Sequence, residues 1–262
     1  MIAPDGTEFD LNGPADAPPL VLIHGLGINR RMWEPHLPAL AENNRVLTYD
    51  LYGHGQSVLP PRKPDLSVYA AQLAGLLDAL SIDRAVIAGF SLGGMINRRF
   101  AMDFGHRARA IIILNSPHER GSEQQRLVEE RAANSTEGPA ATLDAAIARW
   151  FTPGFIETRP DYIAQVREWV LANDPQVFAE CRQVLAKGVV ELIRPNPPIL
   201  HPALVMTGEY DSGSTPAMSH AIASEIDGAA TIIVPGLQHM ALVEDVTAFT
   251  DPMLSFLRTL PP

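Results

Sequence analysis

The chain has 262 residues, a net charge of −10, one cysteine, 46% hydrophobic and 19% charged residues. That balance belongs to a folded protein with ample material for a buried core, either one large α/β domain or a core carrying an insertion. The charge argues against nucleic acid or an anionic membrane as the main partner, and a lone Cys181 leaves no internal disulfide and no metal cluster, as suits a reducing cytoplasm.

The opening stretch, MIAPDGTEFDLNGPADAPP, is turn-rich and has no basic segment followed by an apolar core. Nothing in the chain approaches 18 consecutive apolar residues, so neither export nor a membrane span is expected. Pro19 to His24 then reads as a fully buried strand, because its apolar residues run continuously instead of alternating. It ends in His24-Gly25-Leu26-Gly27, whose glycines let the loop fold over the sheet and free the Leu26 N–H as an oxyanion donor. A helix from Arg30 to Leu40, a strand from Arg45 to Asp50, the glycine-punctuated turn Tyr52 to Ser57 and an amphipathic helix from Leu66 to Leu80 follow. His24 and His54, both at turns, read as loop-holding histidines.

Val86 to Gly94, VIAGFSLGG, organises the rest: a buried strand, a sharp turn at Gly89-Phe90-Ser91-Leu92-Gly93, and a helix from Gly94 to Phe104. A glycine-x-serine-x-glycine pattern alone is weak, arising by chance in roughly one chain of this length in ten. Between a strand and a helix it acquires a mechanism. The glycines allow a bend that a β-carbon would block, the serine hydroxyl is exposed at the strand's carboxyl end, and the Leu92 N–H stands at a helix N-terminus. A further strand, Ala110 to Leu114, completes the first half of a parallel sheet with helices on both faces.

From His118 to Pro198 the strands stop and helices are expected over Gln124–Ala133, Thr142–Phe151, Asp161–Ala172 and Pro175–Lys187. We therefore expect a core of residues 1–117 and 199–262 and a helical cap of residues 118–198. Trp150 and Trp169 lie in that cap, either packing it or lining a pocket. The sheet resumes with Ala203 to Gly208, leading to Asp211, then a helix from Thr215 to Ile226, a strand Thr231–Val234 leading to His239, and a last helix from about Met240 to Leu260.

Ser91, Asp211 and His239 each follow a strand, and the carboxyl ends of parallel strands share one edge, so three residues far apart in sequence should meet there. In that arrangement neutral His239 takes the serine proton, Asp211 orients the imidazole, and the Leu26 and Leu92 N–H groups bind the oxyanion. Glu209 and Asp50 are the competing acids. Glu244 reads as making a structural hydrogen bond or a helix contact. No side-chain set reads as a metal site and no cofactor is implied.

Taken together, HGLG, YDLYGHGQS, GFSLGG, GEYD and GLQHMALVED resemble the α/β-hydrolase superfamily over nearly the whole chain. GFSLGGM and Arg149-Trp150-Phe151-Thr152-Pro153 are similar to the 3-oxoadipate enol-lactonase group and its esterase relatives. The resemblance implies a doubly wound, mostly parallel sheet and an enzyme acting on a small-molecule ester or lactone through an acyl-enzyme on Ser91; a cytoplasmic monomer or homodimer is expected. Phe90, Trp150 and Met240 become candidates for substrate contact. Hydrolysis of a carbon–carbon bond, or ligand binding with little turnover, are the alternatives. The chain departs from the pattern in a longer acid loop (Asp211 to Pro216), a shortened N-terminal hairpin, and Arg98 and Arg99 just inside the elbow helix, so a lactonase substrate does not carry over.

Overall fold

The computed structural model describes residues 1–133 and 138–261; residues 134–137 of the expected cap, and residue 262, lie outside the described residues. In chain order the elements are β1 (Phe9–Asn12), β2 (Pro19–Ile23), a 3₁₀ turn (Arg30–His36) running into the single turn α1 (Leu37–Leu40), β3 (Arg45–Tyr49), α2 (Leu66–Ala79), β4 (Ala85–Phe90), α3 (Leu92–Asp103) and β5 (Ala108–Leu114). Five helices follow before the next strand: α4 (Ser122–Ala133), α5 (Leu143–Trp150), α6 (Pro153–Thr158), α7 (Pro160–Leu171) and α8 (Pro175–Lys187). The chain closes with β6 (Ala203–Gly208), α9 (Pro216–Ser224), β7 (Ala230–Val234), α10 (Ala241–Glu244) and α11 (Val246–Thr259).

The seven strands form one sheet in the order β1-β3-β2-β4-β5-β6-β7, with only β1 antiparallel. Both faces are covered, as continuous apolar strands require. Val86, Ala88 and Phe90 of β4 pack with Trp33 and with Phe249 and Met253 of α11. Ala85 and Ile87, pointing the other way, pack with Tyr69 and Leu73 of α2 and Ile96 and Phe100 of α3. The chain winds outward from β2 to β3 and then crosses to β4 on the other side of β2. That reversal opens a crevice at the carboxyl ends of β2 and β4, where ligands bind in open α/β sheets.

Four elements differ from the sequence reading. Strand β1 lies within the supposedly irregular opening; it is a four-residue edge strand with one fully buried side chain, too short to give an apolar alternation. The expected helix from Arg30 to Leu40 is a 3₁₀ turn and one α-turn, because Pro35 and Pro38 each lack an N–H donor and crowd the preceding turn. The last helix is broken at Asp245, which adopts extended backbone and caps α11 by accepting from the Ala248 N–H at 3.0 Å. Helix α6 was also unforeseen; it opens with Pro153 after a Thr152 cap.

The helices between β5 and β6 are fastened to the sheet at named points. Asn173 Nδ2 donates to Gly27 O at 2.8 Å, and Thr152 donates through N and Oγ1 to Glu244 at 2.9 and 2.5 Å. Trp169 packs edge-on against Tyr162, whereas Trp150 turns toward the sheet. Among the described residues no helix is long and apolar enough to cross a membrane.

Candidate active site

Ser91 sits at the tip of the β4-to-α3 turn with φ 55° and ψ −111°, a backbone conformation that side chains with a β-carbon rarely hold. Its surroundings enforce it. A β-carbon on Gly89 would lie 2.1 Å from Gly93 O, and one on Gly93 would lie 2.4 Å from Ile23 O, so both glycines are required for the chain to pass itself and β2 so closely. Ser91 N donates to Leu114 O at 2.8 Å, and Ser91 O accepts from Gly94 N at 3.0 Å.

The acid and histidine loops are zipped together beyond β6 and β7. Tyr210 N donates to Leu237 O and Glu209 N to Val234 O, both at 2.8 Å. Gly208 has no room for a β-carbon, which would meet Leu237 O and Gln238 O at 2.5 Å. The result is one hydrogen-bonded chain: His239 Nε2 lies 3.2 Å from Ser91 Oγ, and His239 Nδ1 lies 2.7 Å from Asp211 Oδ2. Because a carboxylate only accepts, Nδ1 carries the proton and Nε2 is left to accept from the Ser91 hydroxyl.

Asp211 is buried, and its carboxylate is fully engaged. Oδ1 accepts from the Gly213 and Ser214 N–H groups, each at 2.9 Å, and Oδ2 accepts from Asn115 Nδ2 at 3.0 Å besides His239. Burial pushes its pKa up, but the His239 imidazole and the hydrogen bonds from His239, Asn115 and Ser214 outweigh it, holding the carboxyl below its ordinary range. Asn115 was not foreseen. It occupies the residue after β5 at φ 47°, a left-handed conformation that asparagine tolerates better than most. A polar residue at the carboxyl end of a central strand was the available signal.

The competing acids are committed elsewhere. Glu209 Oε2 accepts from Gly236 N at 2.9 Å, and Asp50 binds Arg30 N at 2.8 Å, Arg30 Nη1 at 2.5 Å and Gln56 N at 3.0 Å. His24 Nε2 accepts from Leu51 N at 2.9 Å and its Nδ1 donates to Gly25 O at 2.7 Å; burial, against that last bond, lowers its pKa to about 4, so it stays neutral. His54 is likewise buried, with its pKa lowered to about 3.

The Ser91 hydroxyl faces a cavity of about 160 Å³ whose lining includes Pro117, Arg120, Arg149, Trp150, Leu185, Ser212 and His239. A second cavity, of about 210 Å³, shares Arg120, Arg149, Trp150 and Leu185 and adds Leu26 and Phe178. Leu26 thus lies in the β2 loop bordering the site, and Leu92 is the first residue of α3, where an N–H has no partner within the helix. Of the three candidates for substrate contact, Trp150 lines the cavity. Phe90 and Met240 are buried beside it: the Phe90 ring centroid is 5.0 Å from that of His239, and Met240 N donates to Trp150 O at 2.7 Å.

Arg120 and Arg149 have no carboxylate within ion-pair distance among the described residues. Arg120 Nη1 donates to Gln125 Oε1 at 3.1 Å and Arg149 Nε to Ala145 O at 3.1 Å. Burial lowers the pKa of Arg120, against the pull of Glu129. Arg99, in contrast, is spent in ion pairs with Asp103 at 2.7 Å and Glu191 at 3.0 Å, and Arg98 is buried behind the elbow.

Residues 20–251 match the family model described as the alpha/beta hydrolase family. A 3-oxoadipate enol-lactonase of Acinetobacter baylyi is 30% identical over 244 residues, covering 90% of this chain and 87% of the relative. The crystal structure of the enol-lactonase from Burkholderia xenovorans superposes with a TM-score of 0.87 at 30% identity, covering 96% of each chain. A malate-bound thermophilic esterase from Thermogutta terrifontis gives 0.82 at 26% identity, covering 97% of this chain and 93% of that one.

Proposed function

The chain belongs to the alpha/beta hydrolase family, and from that premise we propose that it cleaves a small carboxylic ester or lactone through an acyl-enzyme on Ser91. The observation that carries this reading is the Ser91–His239–Asp211 chain of hydrogen bonds, opening onto a cavity of about 160 Å³. His239 Nε2 takes the hydroxyl proton as Ser91 Oγ attacks the carbonyl carbon, and Asp211 stabilises the imidazolium that forms. The Leu26 and Leu92 N–H groups receive the tetrahedral oxyanion. Collapse expels the alkoxide, protonated by His239; for a lactone it stays tethered to the acyl group. Water deprotonated by His239 then attacks the acyl carbon and releases Ser91.

An ester is favoured over a carbon–carbon bond by what stands beside the nucleophile. Carbon–carbon cleavage requires the substrate to be ketonised first, which calls for polar groups next to the serine, yet Phe90 is apolar and buried. A panel of short-chain aryl esters, small lactones and a vinylogous 1,5-diketone acid tests the choice. Esters and lactones should give the highest kcat/KM. A diketone acid cleaved as efficiently as the best ester would overturn it.

The arginines narrow the substrate further. Two guanidinium groups without a carboxylate partner among the described residues, on the walls of the cavity in a protein of net charge −10, suit a substrate carrying a carboxylate away from the scissile bond. Arg149→Met or Arg120→Met should raise KM for a carboxylated ester about 10- to 100-fold, the worth of a hydrogen bond to a charged group. KM for a neutral ester of the same size should stay within about threefold. Equal effects on the two esters would remove the carboxylate from this reading.

A further inference from the structure

Arg98 takes no part in the steps just described, and its burial is expensive. It is 2% exposed and lies among oxygens that carry no charge: Nε donates to Gly94 O at 3.0 Å, and Nη2 donates to Ser116 Oγ at 3.2 Å and Pro117 O at 2.7 Å. Nη1 has no hydrogen-bond partner, and no carboxylate is within ion-pair distance among the described residues. Glu225 and His118, themselves hydrogen-bonded at 3.0 Å, are the charged and titratable groups whose fields reach it. A methionine would fill much of the same space without desolvating a charge. What the guanidinium adds is a planar fork of donors.

The acceptors of that fork lie together. Ser116 and Pro117 follow Asn115 directly at the end of β5, and Gly94 is in the first turn of α3. Ser116 Oγ, which accepts from Arg98, donates in turn to Ser91 O at 3.0 Å. It is pressed so close to the elbow helix that a β-carbon on Gly94 would meet Ser116 Cβ at 2.6 Å. Asn115 holds Asp211 from a left-handed backbone conformation, which persists only where the neighbouring chain is fixed. Residues 115–117 therefore support the serine through one side chain and the acid through another.

We propose that Arg98 is a positioning residue: by fastening Ser116 and Pro117 to the elbow helix it sets, from one strand end, the placement of both Ser91 and Asp211. The proposal rests on Ser91 being the nucleophile. A misplacement of about 1 Å at a reacting group can reduce turnover about 100-fold, so the effect belongs in kcat.

The test uses the full chain with Arg98→Met, Arg98→Lys, Ser116→Ala and the Arg98→Met/Ser116→Ala double variant, assayed on 4-nitrophenyl acetate. The low-field proton resonance of the His239–Asp211 hydrogen bond is recorded for each. Arg98→Met should lower kcat roughly 10- to 100-fold with KM within about threefold, and Ser116→Ala roughly tenfold. The double variant should lose little more than Arg98→Met alone, since both act through one linkage. Arg98→Lys should recover part of the loss, and the resonance should shift or broaden in Arg98→Met and Ser116→Ala. A kcat within twofold of wild type in Arg98→Lys and Ser116→Ala, or losses confined to KM, would overturn the proposal; these two variants decide it if Arg98→Met does not fold. A wild-type protein whose Ser91 is never acylated would sink the hydrolase reading instead, and the resonance would still report whether Arg98 holds the acid and histidine in place.

Discussion

An organophosphonate or sulfonyl fluoride should modify Ser91 and leave every other serine untouched, and Ser91→Ala should reduce kcat by a factor on the order of 10⁵ to 10⁶, as removal of a triad nucleophile does elsewhere. The selectivity has a structural cause. Ser91 Oγ is 3.2 Å from a histidine nitrogen with a free lone pair, whereas Ser57 Oγ donates to Asp50 O at 2.7 Å and Ser116 Oγ to Ser91 O at 3.0 Å, neither of which can take a proton away. Labelling requires the neutral form of His239, because only a neutral imidazole is a base. A chelator should not slow it. Peptide mapping that placed the adduct on Ser57 or Ser116 with Ser91 free would end the assignment. So would a Ser91→Ala enzyme retaining a tenth of the activity.

Which parts of this arrangement can be read from the chain follows from how local their causes are. The central strands are legible because burial on both faces leaves a continuous apolar run, as in Leu20 to Ile23 and Ala110 to Leu114. The serine turn is legible because its steric demand falls on two glycines in the same pentapeptide. The meeting of Ser91, Asp211 and His239 follows from three strand ends sharing one edge. Supports made by contacts across the sheet leave no such trace: Asn115 on Asp211, Ser116 on Ser91 O and Arg98 on Ser116 are each single polar residues whose partners are 18 to 96 positions away, and Glu244, legible as structural, gives no sign that its partner is Thr152. Arg98 and Arg99 look alike in sequence, yet one faces the β5 end and the other Asp103 and Glu191. Only helix α3's rotation separates them.

Asp211→Asn should lower kcat by about 10⁴, the loss measured for the equivalent change in serine proteases, while leaving the fold and KM nearly intact. The asparagine oxygen can still accept from the Gly213 and Ser214 N–H groups that organise the loop, each 2.9 Å away. What fails is the imidazole. An amide nitrogen facing His239 Nδ1 donates where the carboxylate accepted, so the proton moves to Nε2 and the histidine can no longer take one from Ser91. The negative charge that stabilised the imidazolium is also gone. Glu209→Gln should change kcat by less than about threefold, because Glu209 accepts from the Gly236 N–H at the surface and losses at such sites are small. Because the folded-state pKa of Asp211 is depressed, its contribution to stability is complete above the unfolded carboxylate value of about 3.9 and is lost as pH falls through the lower folded value. Activity lost on acidification above that range is therefore not caused by protonation of Asp211. If Asp211→Asn kept near-normal turnover while Glu209→Gln lost it, the acid would be Glu209, and the hydrogen bond between His239 and Asp211 would be structural only.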